Sequence, residues 1–217
     1  MSRIAVVHLD ESCLGNGREG ENPGGYGGFM EARTRSGIQR RDFYGCSAGT
    51  TNNRMALIGA TAALQLLGAK GARLRVLMVS DSEYLVKGMR LWVPKWKARG
   101  WKRTGGPIEN LQLWQDLVDA ARRHDVQWSW VRGHAGHPKN EYANDLAVGA
   151  AREQKATAGA VESKFLEWLS AKQAKKKFLG YDPDAEYESL ERRLAAGEEF
   201  PLAVNGVRSK HLRGTGD

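Results

Sequence analysis

Cysteine is nearly absent from this 217-residue chain, which holds only Cys13 and Cys46. Two thiols make neither a disulfide framework nor a thiolate metal cluster, so both read as small buried side chains. No apolar run approaches the ~18 residues that a membrane-spanning helix needs. An apolar strand starts almost at once, without the layout of a signal peptide. A soluble, cytoplasmic protein with no membrane partner is expected. Acidic residues are scarce where the charge is greatest. Residues 1–150 hold 21 Lys and Arg against 14 Asp and Glu, whereas 151–217 hold 12 and 11. The net charge of +8 therefore belongs almost entirely to the first part, and a polyanion is the first partner to consider.

The pattern along the chain predicts the order βββαβααβα. "RIAVVHLD" (3–10) is a strand ending on an acid, followed by the glycine-rich "GNGREGENPGGYGG" (15–28). "GYGGFMEAR" resumes a strand, and "GIQRRDFYGCSA" (37–48) reads as its hairpin partner. Residues 53–69 have the alanine and leucine content of a buried helix. "RLRVLMVSD" (73–81) is a second buried strand ending on an acid. Helical segments are expected at 82–101 and 108–123, then a strand at 126–133 and a helix from Pro138 to about Arg152. Three antiparallel strands followed by crossover connections imply an α/β fold with a mixed sheet flanked by helices. Beyond Gly159, residues 160–180 read as an amphipathic helix and 182–197 as a capped second one. Their apolar faces need cover, from the first domain or from a second copy in a homo-oligomer. The final stretch, with Arg208, Lys210 and Arg213, is expected to fray.

Asp10 and Asp81 close two apolar strands in the same manner, and parallel pairing would bring both to the carboxyl edge of the sheet. His134 follows another strand, and Asp145 lies on the next helix, eleven residues on. Three carboxylates converging without basic partners repel one another unless a cation lies between them. Oxygen ligands of this kind suit Mg2+ or Mn2+, which can support phosphodiester cleavage. Each aspartate could instead simply cap a helix.

The segments "DESCLGNG", "NPGGYGGF", "TTNNRMAL", "VSDSEYLVKGM", "WVPKWKARGWK", "ENLQLWQDL" and "WVRGHAGHPKNEYANDLA" stand in the order found in type 1 ribonuclease H. The resemblance covers about residues 1–152, leaving 153–217 as a helical C-terminal extension. It implies a five-stranded ribonuclease H-like sheet and metal-dependent cleavage of the RNA strand of RNA/DNA hybrids, with no small-molecule cofactor besides the metal. By that resemblance Asp10, Asp81 and Asp145 hold the metals, and His134 assists proton transfer or product release. His137 has no catalytic role and is structural. Residues 87–103 carry seven Lys and Arg, no acid, and Trp92, Trp96 and Trp101. They resemble the family's basic protrusion, in which Lys95, Lys97 and Arg99 would neutralise phosphates. Trp96 would be the exposed ring, with Trp92 and Trp101 as anchors. Asn16, Asn52 and Asn53 suit 2′-hydroxyls and base edges in a wide minor groove. Thr51 and Arg54 could hold a phosphate at a helix start.

Four departures from the family stand out. Ala56 occupies the position of a catalytic acid, Glu11 that of a usual glycine, and Glu83 that of a common glutamine that reaches the hybrid's minor groove; the glycine-rich loop is longer through "REGE". Two readings of Ala56 stay open. In one, the chain is a disabled protein that binds hybrid or duplex. In the other, Glu11 supplies the missing oxygen and joins the catalytic set. Strand alternation turns Glu11 away from the face of Asp10, although the chain is expected to be leaving its strand there. A third reading keeps the fold but assigns DNA junction cleavage or strand transfer, against which the tryptophan-bearing protrusion argues.

Overall fold

The computed structural model describes residues 3–15, 22–69 and 71–202. Six strands form one mixed sheet in the order β5-β4-β1-β2-β3-β6. The long strands β1 (Arg3–Cys13), β2 (Gly24–Thr34) and β3 (Gly37–Ser47) make an antiparallel meander. β4 (Leu74–Ser80) and β5 (Asp125–Trp130) run parallel to β1 and to each other. The sixth strand, β6 (Val161–Glu162), pairs antiparallel with Arg41 and Asp42 of β3. The expected amphipathic helix over 160–180 therefore begins later, as α6 (Phe165–Ala174). Val161 and Glu162, ahead of it, are instead spent pairing with the edge of β3.

Helix α1 (Asn52–Gly68) opens on Thr51, whose side chain accepts from the Arg54 amide at 3.3 Å. Its buried face, with Ala56, Leu57, Ala60 and Leu64, meets Ala5, Val7 and Leu9 of β1. The same layer holds α4 (Leu111–Ala121), which buries Trp114 completely. The helical run after β4 is not uniform. α2 (Glu83–Lys87) passes through a π-helical turn, Gly88–Trp92, into α3 (Val93–Ala98).

The other face is covered by α5 (Pro138–Glu153) and by the extension. Gly25 and Gly27 of β2 lie directly beneath α5. A Cβ on Gly27 would stand 2.4 Å from the Ala147 nitrogen, so only glycine lets the helix backbone approach this closely. α6 packs Phe165 and Leu169 on Phe29 and Tyr142. α7 (Pro183–Ala195) inserts Tyr187, Leu190 and Leu194 over Val6, Leu77 and Val79. Both helices thus bury apolar residues on their own sheet, with no second copy required. Residues 198–202 then run along β5 and cover that edge. Phe200 N donates to Gln127 Oε1 at 2.7 Å, and Trp130 N to Leu202 O at 2.5 Å. The residues expected to fray lie outside the described ones. Among the described residues no helix is long and apolar enough to cross a membrane.

Candidate active site and nucleic-acid interface

The ladder between β1 and β4 ends at Leu9 and Ser80, so Asp10 and Asp81 emerge side by side at the carboxyl edge of the parallel strands. With Glu11 they form a group in which one oxygen from each carboxylate lies within 4.8 Å of the others. Glu11 arrives by a route that alternation alone does not reveal. β1 does not end at Asp10 but continues to Cys13, with Glu11 opposite Tyr26. Glu11 thus follows Leu9 onto the α1 side of the sheet. β4 has already ended there, and the glutamate is long enough to reach the gap beside Asp81 and Ser82. Ala56 lies fully buried in the layer that contains Leu9, on that same side.

Asp10 is buried, Glu11 and Asp81 are half-buried, and the group is short of positive charge. Burial first, then the neighbouring Asp81 and Glu11, push Asp10 up to about 9. Burial and Asp81 push Glu11 up to about 8, eased by the Ser82 hydroxyl. Asp81 is raised chiefly by burial, against the opposing pull of His134 and a hydrogen bond from Asn140. Glu11 Oε2 is buried without a hydrogen-bond partner. An orphaned carboxylate oxygen among three crowded acids fits a hard divalent cation such as Mg2+ or Mn2+, which takes oxygen ligands.

Neighbouring residues fix the acids in place. The Glu11 amide donates to Asp10 Oδ1 at 2.7 Å, and Asn140 Nδ2 donates to Asp10 Oδ2 at 3.2 Å. Asp81 rests against Gly133, where a Cβ would stand 2.2 Å from Asp81 Oδ2. His134 is exposed, in the left-handed region at φ 52°, close enough to Asp81 to influence it.

Asp145, expected to converge with Asp10 and Asp81, is not in this group. Its Oδ2 accepts from Trp168 Nε1 at 2.8 Å and pairs with Lys172 Nζ at 3.3 Å, both on α6. The reason is helical phase. Asn140 faces Asp10, and at 100° per residue Asp145 lies about 140° further around the axis. Asn144, one turn after Asn140 and half-buried, continues the site-facing side instead. Sequence reasoning missed Asn140, Asn144, Ser82 and Gly133. The four-residue spacing of the two asparagines was the available signal.

The expected hybrid-binding residues are partly assembled. Thr51, Asn52, Asn53 and Arg54 lie at the start of α1. Asn52 Oδ1 is buried without a partner, while Arg54 Nη1 donates to Asn110 Oδ1 at 3.4 Å. Asn16 lies outside the described residues. Glu83 forms an ion pair with Lys87 at 3.0 Å. Lys95, Lys97 and Arg99 are exposed on and just after α3. Trp96, however, is half-buried like Trp92 and Trp101 rather than the exposed ring. It packs 5.9 Å from Trp92 and edge-on to Trp114 at 5.7 Å. Together with Trp92, Tyr84, Arg103 and Glu109 it lines an open cleft of about 280 Å³. Arg90 turns inward, donating to the carbonyls of Trp128 and Phe200.

The RNase H family matches residues 2–152. Ribonuclease H of Aromatoleum aromaticum is 44% identical over 153 residues, 68% of this chain and 92% of that protein. Ribonuclease H of Methylococcus capsulatus is 43% identical over 142 residues, 65% and 84% of the two chains. The crystal structure of LC9-RNase H1, described as a type 1 RNase H with the type 2 active-site motif, extends the likeness past residue 152. It superposes with a TM-score of 0.77 at 45% identity, covering 96% of this chain and 99% of that one. With two curated relatives above 40% identity and a family match across the whole catalytic edge, the chain belongs to the RNase H family.

Proposed function

We propose that this protein is an endonuclease that hydrolyses the RNA strand of RNA/DNA hybrids, with Asp10, Glu11 and Asp81 holding its divalent metal ions. Residues 1–152 form the catalytic domain and 153–217 its extension, which carries α6 and α7. The observation that carries this reading is the buried, unpartnered Oε2 of Glu11 beside two crowded aspartates. It favours Glu11 as the replacement for the acid missing at Ala56, and disfavours the reading of a disabled binding protein. The likeness to LC9-RNase H1, an RNase H of one type with the active-site motif of another, supports such a rearranged acid set.

Bound Mg2+ or Mn2+ would supply activation of water and stabilisation of the leaving oxygen. The chain's own residues do the rest. Asn140 orients Asp10, Ser82 supports Glu11, and Gly133 leaves room for Asp81. His134, exposed beside Asp81, is placed to move a proton to or from the reacting strand. Lys95, Lys97 and Arg99 contact phosphates of the DNA strand. Asn52, Asn53, Thr51 and Arg54 meet the minor groove and a phosphate near α1. The test is cleavage of a labelled hybrid beside matched double-stranded DNA and RNA, with Mg2+, with Mn2+ and with chelator. Metal-dependent cutting of the hybrid's RNA strand supports the reading; cutting of DNA junctions, or binding without cutting, overturns it.

A further inference from the structure

Glu186 ties the extension to the neighbourhood of the catalytic edge. Glu186, in the first turn of α7, makes its ionic contacts with the N-terminal turn of α5. Its Oε1 lies 3.1 Å from His137 Nε2, and its Oε2 lies 3.2 Å from Lys139 Nζ and bonds the Tyr181 hydroxyl. Lys139 is completely buried, and its ammonium also pairs with Glu31 at 2.6 Å and donates to the Pro183 carbonyl at 3.2 Å. Burial pushes the Glu186 carboxyl up, but the His137 hydrogen bond and the Lys139 charge outweigh it and hold the group far below the ordinary carboxylate range. Glu186 is therefore an anion that neutralises Lys139 and fixes the His137 ring.

Both contacts bear on Asn140. With Nε2 engaged by Glu186, His137 Nδ1 is free to accept the Asn140 amide at 3.4 Å, which caps α5. The side chain of that same Asn140 donates to Asp10. We infer that Glu186 of the extension is a positioning residue for the catalytic edge, acting through His137 and Lys139 on the first turn of α5 and thence through Asn140 on Asp10. His8 supports a tight fit in this region. It is buried two residues before Asp10 with its ring 5.2 Å from that of His137, and neither of its nitrogens has a partner. The extension is in this respect part of the catalytic unit, which an appendage serving only solubility would not be.

The inference rests on the proposed hybrid cleavage for one of its two readouts. The full-length chain is compared with Glu186→Ala, Glu186→Gln and Leu190→Ala. Leu190 is buried in the apolar cluster one turn further along α7 and serves as a lesion of stability alone. Glu186→Ala is expected to lower kcat by tenfold or more, on the order of what small misplacements of a catalytic group cost. KM should stay within about twofold, since no group that contacts the hybrid is removed. Glu186→Gln keeps an acceptor for His137 but not the charge for Lys139, and should fall between. Hydrogen exchange of the Asn140 and Glu141 amides should quicken by about tenfold in Glu186→Ala and stay unchanged in Leu190→Ala, even where both lower the melting temperature. Unchanged kcat and exchange in both Glu186 variants would overturn the inference, as would an equal loss of kcat in Leu190→Ala. If the wild-type chain cuts no hybrid, the proposed function fails, and the exchange comparison still decides the role of Glu186.

Discussion

Crowding two half-buried carboxylates against a buried third has a cost that the metal-free protein must show as a dependence of stability on pH. Asp10, raised to about 9 by burial and by its acidic neighbours, keeps its proton in the folded chain where the unfolded chain has lost it. A raised carboxylate of this kind contributes fully to stability below its unfolded value near 4 and loses that contribution as pH climbs toward about 9. At pH 7 the loss is governed by the distance between pH and the unfolded value, roughly three units, or about 4 kcal/mol at 1.36 kcal/mol per unit. This is an upper bound, because water entering the cleft relieves part of the burial. Asp10→Asn removes the titration and can still accept one of the two hydrogen bonds that Asp10 receives from Glu11 and Asn140. In chelator near pH 8, one unit further on, that bound grows to about 5 kcal/mol, so Asp10→Asn should melt higher than wild type, by up to about 15 °C at the ~3 °C per kcal/mol expected for a chain of this size. Near pH 4 the gain should vanish. Excess Mg2+ should reverse the order, since binding to the folded wild type offsets the repulsion and the variant lacks a ligand. Thermal melts at both pH values, with and without metal, make the comparison. A wild type whose metal-free stability rises from pH 5 to pH 9, or an Asp10→Asn variant no more stable at pH 8 than wild type, would refute the crowded-acid picture.

Three other outcomes follow from the same geometry. Replacing Lys95, Lys97 and Arg99 with alanine should flatten the salt dependence of hybrid binding by about one unit per lost phosphate contact, measured without metal; an unchanged slope would remove the protrusion from the interface. Trp168→Ala should cost ~2–3 kcal/mol in denaturant unfolding. The half-buried ring packs on Phe165, Phe178 and Tyr142 and donates to Asp145, so it falls below the range for a fully buried tryptophan. Ala56→Glu should destabilise the chain by a few kcal/mol, because it forces a longer, charged side chain into a fully buried site, and should leave hybrid cleavage no higher than wild type. A large gain of activity would mean that the site lacks the acid which Glu11 is assigned to provide.

Much of the scaffold is legible in the sequence because its cause is local. Val6, Val7 and Leu9, then Met78 and Val79, make apolar runs that end on Asp10 and Asp81, and parallel pairing carries both acids to one edge. Glu11 was harder to read, since alternation turns it to the face opposite Asp10 and only the early end of β4 opens the space through which it reaches the site. Asp145 misled for the opposite reason. An acid near the right position in sequence lies on the wrong side of α5, and Trp168 and Lys172, more than twenty residues away, claim it. The two-residue β6 carries no periodicity to detect, and its existence depends on the open edge of β3. Glu186 carried no signal beyond a charge in the first turn of a helix, because its partners His137 and Lys139 are brought to it only by the fold.

The central claim is that the acid set is Asp10, Glu11 and Asp81, with Asp145 serving the extension. It is tested most directly by cleavage of a labelled RNA/DNA hybrid in Mg2+, comparing Glu11→Gln with Asp145→Asn. Glu11→Gln should lose more than about 100-fold in rate, beyond what outer partners of a metal site typically contribute. Asp145→Asn loses only a half-exposed pairing with Lys172, worth ~0–1 kcal/mol of stability, and should cut within a few-fold of wild type. Full activity in Glu11→Gln, together with a dead Asp145→Asn, would contradict the account.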